Sequence, residues 1–357
     1  MSGARELTSL ALMADMAGCP NRCRHCWLGN HPDGRMTPQD VRDIAGQFRA
    51  WRDEAGGRIE ELGVFTWWRE PDYRADYRAL WALEQELSSP GRALRFELLS
   101  TWRLARDPSY APWAASIGTR ACQITFFGME DSTDWGMRRS GAYRDQLLAT
   151  ERCIEAGIAP RWQLFITKRC LHELEDFLRL IANLRLHERC EAAGLRFEMF
   201  VGGISPEGAG YDIEDGRLEE GDLDLVPGEL AAMSRDGLKR LGSSERSLMA
   251  ELTHADATPN VDVEPKALAI DANFDVYPNL AEPAPWWRLG NLREDGAAAI
   301  LKAYLEESTP GMRINRTIPL RTLARQYGDP AGRRLYERDD LICRLLHQAG
   351  VDAMGAH

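Results

Sequence analysis

The chain has 357 residues, room for one large α/β unit with an appendage. With 44 Lys and Arg against 55 Asp and Glu, its formal charge of −11 argues against a nucleic-acid binder working through a basic face. Its 44% hydrophobic content excludes global disorder, and no run approaches the ~20 apolar residues that cross a bilayer.

The most apolar early stretch, Leu7 to Gly18, contains Asp15, lacks a strongly basic flank and runs into a cysteine cluster. It reads as a strand and not as a signal peptide. Further strands are predicted over Glu61–Thr66, Leu94–Ser100, Cys122–Phe127, Trp162–Thr167 and Arg196–Val201, the first covering Leu10–Met16. Helical stretches fall between them. Thr37-Pro38 opens one with Val41, Ile44 and Phe48 at helical spacing, and Tyr77, Leu80, Trp81 and Leu87 mark a second. Ala142–Ala156 ends at Gly157, and His172–Ala193 carries Leu174, Phe177, Leu178, Ile181 and Leu184 on one face. Six β/α units predict an α/β fold, a partial (β/α)6 TIM-like barrel with ligands at the carboxyl ends of parallel strands. After residue 202 the style changes: a Gly- and acid-rich stretch to Gly228, a helix near Pro227–Leu241, then a β-hairpin of Val261–Ile270 and Phe274–Tyr277 and a helical cap. The expected division is 1–202 and 203–357.

Eight cysteines are too few for a disulfide scaffold, and three of them crowd into Cys19-Pro-Asn-Arg-Cys23-Arg-His-Cys26 behind the first strand. Three thiolates in so short a loop can ligate three irons of one cubane and leave the fourth open. Three cysteines with His25 also offer a structural zinc set, although zinc ligands usually come as two separated pairs. The cysteine usage and the absence of a targeting segment predict a cytoplasmic protein.

The C-x3-C-x2-C run resembles that of the radical S-adenosylmethionine superfamily, in which the residue before the third cysteine is usually aromatic; His25 stands there. The resemblance implies one [4Fe-4S] cluster on Cys19, Cys23 and Cys26, with S-adenosylmethionine on the open iron. Family members carry a Gly-Gly-Glu-like element after the second strand that receives the methionine ammonium. In Thr66-Trp-Trp-Arg-Glu-Pro71 the glycines are replaced, and Glu70-Pro71 keeps the register. Ser100 and Thr101 stand where relatives have polar cofactor contacts. Thr125 takes the place of the family's inward serine, and Arg139, or Arg138, that of the arginine holding the carboxylate. Arg161, Gln163, Thr167, Arg196 and Glu198 are the candidate substrate contacts. Trp-rich segments (Trp67-Trp68, Trp102, Trp135, Trp286-Trp287) are expected to wall the cavity.

Asn273-Phe-Asp-Val-Tyr-Pro-Asn279 with Arg288-Leu-Gly-Asn-Leu292 resembles the SPASM or twitch extension of these enzymes, with Asn279 in place of a cluster-binding cysteine. The other five cysteines are scattered singly. The resemblance therefore implies a single cluster and a redox-neutral outcome, with Tyr277 or Cys343 as candidate hydrogen donors. The expected substrate is a small natural-product intermediate, since only 18 residues precede Cys19, with modification of a ribosomal peptide as the alternative. A one-electron donor such as flavodoxin or ferredoxin is the implied partner, with no nucleic acid and no membrane. A zinc-stabilised binding module is the rival outside enzymology.

Overall fold

The computed structural model describes residues 7–29, 33, 36–92, 97–261, 266–278 and 282–355. Among them run ten strands: β1 Ser9–Ala14, β2 Glu61–Phe65, β3 Ala121–Phe126, β4 Ala159–Phe165, β5 Glu198–Gly202, β6 Ser243–Ser244, β7 Ala267–Ile270, β8 Asp275–Pro278, β9 Gly290–Asn291 and β10 Leu335–Tyr336. They form sheets ordered β2-β1-β7-β8-β9, β3-β4-β5 and β10-β6. β1 and β2 pair in parallel, as do β3, β4 and β5, with helices as crossovers. This is the expected open α/β arrangement.

Alternation decides what each sheet face does. Leu10 and Leu12 of β1 point with Leu62 and Val64 of β2 into a core shared with Val41, Ile44 and Phe48. The helix Pro38–Ala50 presents those three because Thr37 and Asp40 close a capping box that starts it in register. The opposite face is built from Ala11, Phe65 and Ala267, with Met13 and Trp67 against them. In the second sheet Ile124, Phe126, Trp162 and Leu164 are completely buried beneath the helices, each worth roughly 1.5–3 kcal/mol. The indole of Trp162 donates to Thr150 Oγ1 at 2.9 Å. Half-buried Gln123, Thr125, Arg161, Gln163 and Glu198 line the other face.

Several expectations need correction. Of the strand expected at Leu94–Ser100, residues 94–96 lie outside the described residues, and 97–100 form no regular strand. That segment still runs beside β3, where Gln123 N donates to Glu97 O at 2.7 Å. The helix expected over His172–Ala193 is two, Leu174–Asn183 and Leu186–Ala192, broken where Arg185 takes φ +50°. Around 227–241 only Gly228–Met233 is α-helical. Arg235 N instead donates to Met199 O at 2.9 Å, so this segment covers the outer edge of β5.

The hairpin forms, with β7 and β8 antiparallel. Asp271 Oδ1 accepts from Asn273 N and Asp275 N, which sets its turn. Asn291 of the Leu-Gly-Asn-Leu segment donates to Asn273 O at 2.9 Å and Asp275 Oδ1 at 2.8 Å, tying that segment to the turn. β7 pairs in parallel with β1, Ala11 opposite Ala267, so the hairpin extends the first sheet. Helices Gly296–Leu305, Pro310–Thr317, Leu320–Tyr327 and Arg338–Gly355 follow it. Asn279 lies outside the described residues. No described helix is long and apolar enough to cross a membrane.

Candidate functional site

The cysteine loop leaves the carboxyl end of β1 and is held on three sides. Against the helix Glu130–Met137, Arg24 N donates to Gly136 O at 2.8 Å and Arg24 Nε to Trp135 O at 3.1 Å. Cys23 Sγ sits 3.2 Å from Met137 Sδ. From the opposite side Ala209 N donates to Cys26 O at 2.9 Å. Gly208, at φ +53°, is required there, because a Cβ would lie 2.3 Å from Trp27 O. At its ends, Asp15 pairs with Arg69 at 2.7 Å, and Asp33 pairs with Arg69 and Arg22, each at 3.1 Å. Asp33 also accepts from Cys19 N at 3.2 Å. The Arg69 and Asp15 side chains are only 4% and 1% exposed, and removing one member of such a pair costs about 3–5 kcal/mol.

Burial pushes the thiols of Cys19, Cys23 and Cys26 upward, and Cys19 is pushed further by the Glu70 carboxylate. Each of Cys19 and Cys26 also raises Cys23, so the three sulfurs lie within electrostatic reach of one another. Their side chains do not converge, with any other described His, Asp or Glu, as ligands of a single ion.

Glu70 follows β2 on a tight turn. Asp72, at φ +57°, offers its carbonyl to Arg103 Nε at 2.6 Å and its carboxylate to Tyr110 Oη at 2.7 Å. Ser100 caps the helix Thr101–Arg106 by accepting from Arg103 N, and its hydroxyl also reaches Glu70. Thr101 is buried at the first position of that helix. Burial lifts the Glu70 carboxyl to about 7, against the bond from Ser100 and the charge of Arg139.

Sequence alone left Arg138 and Arg139 as alternatives, and the backbone separates them. Arg138 takes φ +51° as the cap of Glu130–Met137 and is exposed. Arg139 turns inward, its Nε donating to Asn21 Oδ1 at 2.6 Å and its Nη1 pairing with Asp145 at 2.5 Å. His25 packs against both Phe127 and Phe165, which also touch each other, each centroid 4.8 Å from the imidazole in edge-on or tilted contact, and burial lowers it to about 4, leaving it neutral.

Among the described residues, Glu70 Oε1, Arg139 Nη2 and His25 Nδ1 are buried around this loop without a hydrogen-bond partner, as is Asp15 Oδ1 at its end. An unsatisfied buried group costs about 1–3 kcal/mol, more when charged, and a bound ligand is one way to satisfy several such groups at once. A carboxylate, a guanidinium and a ring nitrogen beside aromatic rings complement an ammonium, a carboxylate and a heteroaromatic base. The donor set thus fits a zwitterionic amino acid joined to a heteroaromatic base.

Thr125 lies on the concave face across from Gln163, which Gln123 engages through its side-chain amide. On that face Arg161 pairs with Glu198 at 2.8 Å and also with Glu97. Thr167 and Arg196 do not join them. Thr167 is buried in the turn around Cys170. Arg196 lines a cavity of about 500 Å³ with His187 and Glu191 at the amino end of β5. The tryptophans divide likewise: Trp68, Trp286 and Trp287 belong to the core, while Trp135 lies under Arg24 and Arg169, and Trp102 under Arg106. Tyr277 stacks on Trp68 at 6.3 Å, its hydroxyl pushed by burial to about 12. Cys343 sits among Glu207, Glu282 and Asp340, its thiol raised by burial. Arg69, Asp15, Asp33, Asn21 and Gly208 escaped the sequence reading as parts of the site. Only Arg69 carried a signal, being itself a departure from the Gly-Gly-Glu pattern.

No family profile and no curated protein matches the chain. Among solved structures, anSMEcpe with bound AdoMet aligns over 97% of this chain and 97% of its own, with TM-score 0.49 and 11% identity. Streptococcus suis SuiB bound to precursor peptide SuiA aligns over 86% of this chain and 66% of its own, with TM-score 0.46 and 13% identity.

Proposed function

We propose that the protein is a radical S-adenosylmethionine enzyme with one [4Fe-4S] cluster on Cys19, Cys23 and Cys26. The observation that carries this reading is the coincidence of three unpartnered buried atoms, on Glu70, Arg139 and His25, around a three-cysteine loop. Bound there, the cluster and S-adenosylmethionine supply a one-electron cleavage that generates a hydrogen-abstracting 5′-deoxyadenosyl radical. Glu70, steadied by Ser100, receives the methionine ammonium, and Arg139, steadied by Asn21 and Asp145, receives the carboxylate. His25, Phe127 and Phe165 hold the adenine, and Thr125 borders the nucleoside. Thr101 opens the helix that Ser100 caps. Gln123, Gln163, Arg161 and Glu198 orient the substrate on the concave face, and orientation with exclusion of water is the protein's main contribution.

The substrate in this reading is a small natural-product intermediate or a short peptide, and the electron comes from a flavodoxin- or ferredoxin-like donor. Residues 203–357 act as an extension without an auxiliary cluster, which favours a redox-neutral outcome. Anaerobic reconstitution with iron and sulfide tests the reading. The wild type should bind about four irons and release 5′-deoxyadenosine from S-adenosylmethionine under reduction, and Cys19→Ala should lose both. A colourless protein with one zinc per chain would refute it.

A further inference from the structure

Arg69 stands immediately before Glu70, where the resembled motif has glycine, and its guanidinium reaches two carboxylates from opposite ends of the cysteine loop. Asp15 directly follows β1, and Asp33 lies beyond Cys26 and grips the backbone of Cys19. We propose that Arg69 is a positioning residue that clasps the Cys19–Cys26 loop at both ends and raises the reduction potential of the cluster held there. The potential half of this inference rests on the function proposed above; the clasp half does not.

Three features carry it. The first is geometry: Nη2 of Arg69 bridges two carboxylates, Asp15 at 2.7 Å and Asp33 at 3.1 Å, at the full reach of the arginine side chain. The second is burial. At 4% exposure the Arg69 side chain is poorly screened by water, and its charge acts on both Cys19 and Cys26. The third is charge balance. Arg22 and Arg69 offset Asp15 and Asp33, so removing Arg69 alone leaves a net negative charge beside the thiolates. Reduction adds an electron to that site, and net charge is among the levers that set cluster potentials. A fixed cation therefore favours the reduced state, and a surplus carboxylate opposes it.

The test uses the full chain in two states. Potentiometric titration followed by electron paramagnetic resonance is run on anaerobically reconstituted protein, and hydrogen–deuterium exchange over the loop on iron-free protein. Arg69→Gln should shift the potential negative and speed loop exchange about tenfold or more. Arg69→Lys should restore the potential while leaving exchange fast, since its ammonium returns the charge but ends one bond short of the Nη2 that bridges both carboxylates. The double variant Asp15→Asn/Arg69→Gln removes one charge of each sign. It should return the potential toward wild type with the loop still unclasped, and it serves if the single variant fails to fold. Wild-type potential and wild-type exchange in Arg69→Gln would overturn the proposal. So would a double variant shifted at least as far negative as the single one. A wild type that binds no cluster overturns the enzymatic reading and with it the potential half, while exchange in the iron-free protein still decides the clasp.

Discussion

Glu70→Gln removes the charge of the carboxylate proposed to receive the ligand's ammonium. Burial raises this carboxyl to about 7, so the ligand-free folded protein favours its protonated form. The sign follows by linkage: the folded chain loses stability as pH rises from the ordinary carboxyl value through 7, whereas an ammonium binds the ionised form. Between about pH 5.5 and pH 7 the carboxylate fraction climbs from about 3% to about half, so affinity for S-adenosylmethionine should rise about fifteenfold. An unperturbed carboxyl would change by only about a tenth over the same range, in which the ligand's α-ammonium stays charged. His25, lowered to about 4, is already neutral throughout. In Glu70→Gln the profile should be flat, and affinity at pH 7 about 10–150-fold weaker, from about 1.5–3 kcal/mol for a charged hydrogen bond. Calorimetric titration of the reconstituted protein reads both quantities, and below pH 7 wild-type binding should release protons. A flat wild-type profile, or wild-type affinity in the variant, would refute the assignment of Glu70.

Other substitutions probe the scaffold. Gly208→Ala forces a Cβ to 2.3 Å from Trp27 O at φ +53°, and should cost about 1–3 kcal/mol in urea unfolding together with faster iron loss to a chelator. Tyr110→Phe breaks the buried 2.7 Å bond to Asp72 and should cost about 1–3 kcal/mol. Tyr77→Phe, which breaks a 3.3 Å bond to half-buried Asp107 and a 3.1 Å bond from Arg78 Nε at the same partly solvated hydroxyl, should cost less than Tyr110→Phe in the same assay. Cys153→Ala empties a buried packing position and should retain the full iron content; loss of iron would place a ligand outside the Cys19–Cys26 loop.

What was legible in the sequence was local. Period-2 alternation located β3 and β4, and the Thr37-Pro38 start with Val41, Ile44 and Phe48 located a helix, because such patterns are fixed by immediate neighbours. Cysteine spacing singled out the loop that the structure pins between Gly136 and Ala209. The break at Arg185 was illegible because nothing in its composition requires a positive φ, which the surrounding packing imposes. Long-range partnerships were hidden altogether. Neither Asp15 nor Asp33 announces Arg69, nothing near Phe127 announces Phe165, and the choice of Arg139 over Arg138 needed the left-handed cap. The hairpin was visible as a hairpin, but its docking onto β1 was not.

That docking bears on how the protein comes to be made. Ala11 waits for Ala267, 267 − 11 = 256 positions later in translation. At roughly 5–20 residues per second a ribosome needs on the order of 10–50 s to deliver the second neighbour of the strand from which the cysteine loop emerges. Until then one edge of that strand is an unpaired ladder, the kind of surface that recruits wrong partners. On the proposed function, cluster insertion should therefore wait for the strand at Ala267 to dock, and ribosome-stalled fragments ending before residue 267 should be poor acceptors of iron.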